Sequence, residues 1–195
     1  MAGTDVKAVG STTSTRNSKA TPFRLSKIDQ SYLVFCDTCS LMTEKASYAL
    51  IDGVGKALEQ QTLKLIIAKR VIDELYKHQG NKSDTALSKK ATGGLKIIQA
   101  FQKKGLCDIF EDKNDPFADQ LFISLFTKFR KSHNLLMITN DNNLAYDLLG
   151  LSDQKSVQSN KTIEVCFVGD DGDLIQYRQK TQINTNSNRM SSVDR

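Results

Sequence analysis

The sequence predicts a three-layer α/β/α domain around a mainly parallel central sheet of about five strands. Short apolar runs of β-forming residues recur along the chain, and stretches of helical period lie between them, which is the alternation that builds such a sheet. A chain of 195 residues, 39% hydrophobic and 25% charged, has enough apolar surface for one packed core.

The first strand is read at Tyr32 to Cys36, too short for a helix and followed at once by Asp37 and Thr38. From Ser40 to Leu58 the period changes, with Leu41, Ala46, Ala49, Leu50 and Val54 marking one helical face and Asp37 to Ser40 supplying caps. Leu63 to Ile67 is a second buried strand. Lys69 to Gln79 is a helix with Val71, Ile72 and Leu75 inward and Gly80 as its stop. Ser83 to Lys104 is helical again, with a break expected at Gly93-Gly94. Leu106 to Phe110 is the third strand. Asp115-Pro116 opens a helix through Leu121, Phe122, Leu125 and Phe129. Leu135 to Thr139 is the fourth strand and Asp141 to Leu149 a short helix. Ile163 to Val168 is the fifth strand, and Asp170-Asp171-Gly172 turns into a final strand through Tyr177.

The ends read differently. Residues 1–30 carry five basic groups against two acidic ones, and residues 176–195 carry four against one. Residues 31–175 hold 18 basic and 19 acidic groups, so the net charge of +5 sits in the ends. Both ends are rich in Ser, Thr and Asn and poor in apolar residues. Residues 1–22 and 179–195 are therefore expected to be disordered polar tails around a domain over 23–178. No run of 18 apolar residues and no apolar leader occur, so no membrane association and a cytoplasmic location are expected.

In a parallel sheet, ligands sit at the carboxyl ends of the strands. Acids stand there. Asp37 follows the first strand and Asp141 follows the fourth, while Glu74 lies one turn into the helix after the second. Asp119 lies one turn into the helix opened by Asp115, and the two share a face at i, i+4. Each has a plain reading as a helix cap, a first-turn acid or a solvated side chain. Together, clustered carboxylates repel one another, and a hard divalent cation with oxygen ligands neutralises them. Mg²⁺ or Mn²⁺ fits such a set.

Other chemistries are weaker. Cys36-Asp37-Thr38-Cys39 has the spacing of a redox pair, but the acid between the thiols opposes thiolate formation, and only Pro22 and Pro116 could supply a facing proline. A zinc site would need Cys107, Cys166, His78 or His133 to join, with no second CxxC. A phosphotransfer aspartate at Asp37 lacks a second acid two residues on, and Gly53-x-Gly55 is no phosphate loop because it lies in a helical pattern.

Asp37-Thr38 after the first strand, Val71-Ile72-Asp73-Glu74-Leu75 after the second, Ala118-Asp119-Gln120-Leu121 after the third and Thr139-Asn140-Asp141-Asn142-Asn143-Leu144-Ala145 after the fourth resemble the PIN-domain family. The resemblance covers roughly residues 32–170, and the last segment is its most specific piece. It implies an Mg²⁺- or Mn²⁺-dependent endoribonuclease with Asp37, Glu74, Asp119 and Asp141 as its catalytic and metal-holding acids. Thr38 and Thr139 would orient ligands or water, and Asp115 is the rival for the third acid. Asp37, Asp119 and Asp141 would hold one or two ions and Glu74 a second ion or the attacking water, for in-line hydrolysis of RNA. Lys69, Arg70, Lys128, Arg130 and Lys131 are the candidates for holding the strand. The resemblance allows a homodimer and an inhibitory protein partner. Cys39 stands where the family often has Asn. The alternative is a catalytically silent PIN-like module that binds RNA or a protein partner.

Overall fold

A computed structural model describes residues 21–111, 118–152 and 160–177. Its seven strands, numbered in chain order, are β1 (Thr21–Pro22), β2 (Tyr32–Cys36), β3 (Leu65–Ala68), β4 (Cys107–Phe110), β5 (Asn134–Ile138), β6 (Ile163–Val168) and β7 (Leu174–Gln176). They form one sheet in the order β1-β7-β6-β5-β2-β3-β4. The five strands expected from the sequence are its parallel part, β6-β5-β2-β3-β4. The final strand expected before Tyr177 is β7, which folds back antiparallel on β6, and β1, which the sequence did not indicate, pairs antiparallel with β7. β1 takes Thr21 and Pro22, within the stretch expected to be tail, into the sheet. The reversal between β6 and β7 needs Gly172, whose φ is 90° and whose missing Cβ leaves room for the Tyr48 ring.

The helices are α1 (Thr38–Leu41), α2 (Lys56–Gln61), α3 (Lys69–Gln79), α4 (Thr85–Lys103), α5 (Ala118–Phe129) and α6 (Asn142–Gly150), with a π-helical segment over Tyr48–Gly55. The single helix expected over 40–58 is thus divided in two: α1, and a continuous helical stretch over 46–61 whose middle is π-helical and whose end is α2. At the interruption the Thr43 hydroxyl and N–H both donate to the Ser40 carbonyl, at 3.0 and 3.3 Å, closing a tight turn after α1. The break expected at Gly93-Gly94 is absent, and α4 runs through it. A Cβ on Gly94 would lie 3.1 Å from the Leu75 side chain and 3.2 Å from the Leu41 carbonyl, so the glycine lets α4 press against α3 and α1.

The core lies on both faces of the sheet. Phe35 of β2 packs against Phe122 and Phe126 of α5, with ring centroids 6.4 and 5.3 Å away. Leu41, Leu50, Leu75, Ile98 and Phe101 are buried within the same continuous apolar cluster. Among the described residues no helix is long and apolar enough to cross a membrane.

Candidate functional site

Strand register brings the acids together. Cys36 of β2 pairs with Ile138 of β5, so Asp37 and Thr139 emerge side by side, and the Asp37 N–H donates to the Ile138 carbonyl at 3.0 Å. β3 lies on the other side of β2 and ends at Ala68, one residue before α3 begins. Parallel pairing places these ends on one rim, with neighbouring strands about 4.8 Å apart.

Asp37 is 4% exposed. One carboxylate oxygen accepts the Thr38 N–H at 2.6 Å and the other accepts the Thr139 hydroxyl at 3.1 Å. The same Thr139 oxygen accepts the Asp141 N–H at 3.0 Å, linking the ends of β2 and β5. Asp141 turns its carboxylate onto its own helix, accepting the N–H groups of Asn143 at 2.7 Å and Leu144 at 3.2 Å, an N-cap of α6. Glu74 accepts the Thr38 hydroxyl at 2.6 Å and faces His78 Nε2 at 3.6 Å. Asp119 is exposed on the first turn of α5.

The rim is electrostatically crowded. Burial, followed by the charges of Asp119 and Glu74, pushes the Asp37 carboxyl up to about 6, against the opposing effect of its two hydrogen bonds. Partial burial and the charges of Asp141, Glu74 and Asp147 raise Asp119 above its ordinary value. The same crowd acts on Cys39, whose thiol is pushed up to about 12 by burial and then by Asp37, Asp141 and Glu74. Cys36 is wholly buried and its thiol also raised. Neither cysteine has the lowered pKa of a redox pair.

The hard oxygen donors of the rim match the chemistry of Mg²⁺ or Mn²⁺. Their placement does not close into a ligand set: among the described residues, no group of three or more His, Cys, Asp or Glu side chains could hold a metal ion. Three of the four acids are instead turned to protein donors. Asp115 lies outside the described residues.

The basic candidates divide. Lys69 and Arg70 open α3 directly after β3, on the rim side, and Lys69 is ion-paired with Asp73. Lys128 is in the last turn of α5, and Arg130 and Lys131 follow it, where the chain enters β5 at the end of the strands opposite the rim. Arg130 lies eleven residues beyond Asp119, about 16 Å along the helix axis. Its guanidinium donates to the Leu151 carbonyl at 2.7 Å, which fastens α5 to the end of α6. Lys128 stands 5.3 Å from the centroid of the Phe129 ring.

Ser40 and Asn140 were not singled out by the sequence. The Ser40 hydroxyl donates to Asn140 Oδ1 at 2.7 Å, while Asn140 also accepts the Val168 N–H and donates to the Val168 carbonyl. Asn140 thereby clamps α1 and β6 to the loop that carries Asp141. Its position next to that acid was the available signal.

No family model matches the chain, and no curated protein matches it. Among solved structures it is similar to the PIN domain endonuclease Utp24, at 16% identity over 74% of this chain and 91% of that one, with a TM-score of 0.48.

Proposed function

We propose that this chain is a PIN-like module that binds RNA without cutting it. The observation that carries the reading is the engagement of the rim acids. Asp37 uses both carboxylate oxygens on Thr38 and Thr139, Asp141 uses one oxygen on the first turn of α6, and Glu74 uses one on the Thr38 hydroxyl. These bonds lock α1, α3 and the β2 and β5 ends to one another, a structural use of residues that a metal-dependent nuclease would keep for ions. The resemblance in the sequence supports RNA as the partner. Lys69 and Arg70, at the head of α3 beside Glu74, are the rim-side cations for it.

A second reading is favoured by one observation. The carboxyl of Asp37 is held near 6 by burial and like charge, a cost that a bound divalent cation would reverse. On that reading the chain is an Mg²⁺- or Mn²⁺-dependent ribonuclease. Asp37, Glu74, Asp119 and Asp141 would leave their present partners to hold the ion, which would supply an activated water and charge stabilisation at phosphate.

A labelled single-stranded RNA incubated with the full chain separates the two. The binding reading predicts a shifted, intact RNA with Mn²⁺ and with EDTA. Cleavage that needs Mn²⁺ and disappears in Asp37→Asn would replace it with the nuclease reading. No retention of RNA and no cleavage would sink both.

A further inference from the structure

We infer that the solvent face of α4 is a binding surface for the phosphate backbone of RNA, gripped through Lys89, Lys96 and Lys103. The inference rests on the reading of the chain as an RNA-binding module and places the contact away from the acid rim.

Burial fixes how α4 is rotated. Ala91, Gly94, Leu95, Ile97, Ile98 and Phe101 face the core. Lys89, Lys90, Lys96 and Lys103 are exposed. Three of these recur at intervals of seven residues, so they stand about 10.5 Å apart and drift only about 20° around the axis at each step. Gly93 and Ala100 fall between them on the same line, at i+4 and i+11 from Lys89. A Cβ on Gly93 would meet nothing within 4 Å, so the ground between the first two lysines is open. The result is a straight row of cations with small residues between them, which a long polyanion can approach closely.

The charge on α4 is all of one sign. α4 contains no Asp or Glu, so no lysine on it has an i, i+4 acid to pair with. None of Lys89, Lys90, Lys96 and Lys103 is in an ion pair among the described residues. Residues 69–104 hold nine basic groups against three acidic ones, a net of +6. The rest of 31–175 then holds nine basic groups against sixteen acidic ones. The near-neutral middle of the chain is therefore two regions of opposite sign, and the positive one is the electrostatic footprint of a nucleic-acid surface. The Ser88 hydroxyl donates to the Gln79 carbonyl at 2.7 Å, so the upper end of the row adjoins the last turn of α3, the helix that carries Glu74.

The residue types narrow the ligand. Lysine is a flexible point charge without the planar fork that reads base edges, and the row has no aromatic side chain for stacking. It suits sequence-independent contact with phosphates. A membrane surface would need an apolar flank beside the cations. Gly93, Gln99 and Ala100 do not supply one.

The test compares the full chain with K89Q/K96Q/K103Q and K89R/K96R/K103R, using a labelled single-stranded RNA at several KCl concentrations. The triple glutamine variant should bind at least about tenfold more weakly, with its salt slope reduced by about 2, and the arginine variant should retain both. Wild type and glutamine variant binding alike would overturn the assignment to α4 and leave the RNA-binding reading standing. A wild type that binds no RNA overturns both. Binding to phosphatidylserine vesicles, lost in the glutamine variant and unaccompanied by RNA binding, would overturn the assignment in favour of a lipid surface. The three positions are exposed, and equal melting temperatures confirm that the variants are folded.

Discussion

The rim and the outer face of α4 are both rows of like charge, held in opposite ways. On the rim, Asp37 is buried and its charge is tolerated through the donors Thr38 and Thr139. On α4 the lysines stand in water, about 10.5 Å apart, where high dielectric and distance make repulsion small. A buried acid is thus coupled to fold stability, whereas an exposed cation is free to serve a ligand at little structural cost.

The largest stability effect should come from Asp37→Asn. A carboxyl whose pKa is raised to about 6 in the folded state disfavours folding once it is ionised. The native state binds more protons than the unfolded chain between the two pKa values, so stability falls as pH rises from about 4 through about 6. The wild type should lose about 3 kcal/mol across that window, and Asp37→Asn should lose this dependence and melt higher at pH 7. Denaturant melts at several pH values measure it, and a wild type that gains stability over the window would break the comparison.

Thr139→Val comes next. Its hydroxyl serves both Asp37 and the Asp141 N–H, so its loss should cost roughly 1–3 kcal/mol and raise the Asp37 carboxyl further. Thermal melting together with a pH titration reads both effects. The smallest effect belongs to α4: Lys96→Gln should change stability by less than about 0.5 kcal/mol. A larger loss there would show that the row is structural.

Much of the rim was legible because each acid follows an apolar strand or opens the next helix, and parallel strands carry such positions to one edge. What each carboxylate does there was not legible, since Asp141 and Glu74 could be read equally as ligands or as hydrogen-bond acceptors. β1 is two residues long, below what periodicity can register. Gly94 looked like a helix breaker because sequence does not show that Leu41 and Leu75 crowd its missing side chain. Arg130 and Lys131 follow a helix that begins at the rim, and only the direction of α5 places them at the opposite end of the strands. The charge of the middle, summed over 145 residues, hid the sign change between α3–α4 and the remainder.

Asp37, Glu74 and Asp141 are held by protein donors, and Asp37 is the one with both carboxylate oxygens engaged. The direct measurement is an NMR titration of the Asp37 carboxyl with and without millimolar Mg²⁺, alongside thermal melting. The midpoint should lie near 6 in both conditions, with an unchanged melting temperature. A midpoint that falls on adding Mg²⁺, with stabilisation that grows with its concentration, would contradict that engagement and establish the rim as a metal centre.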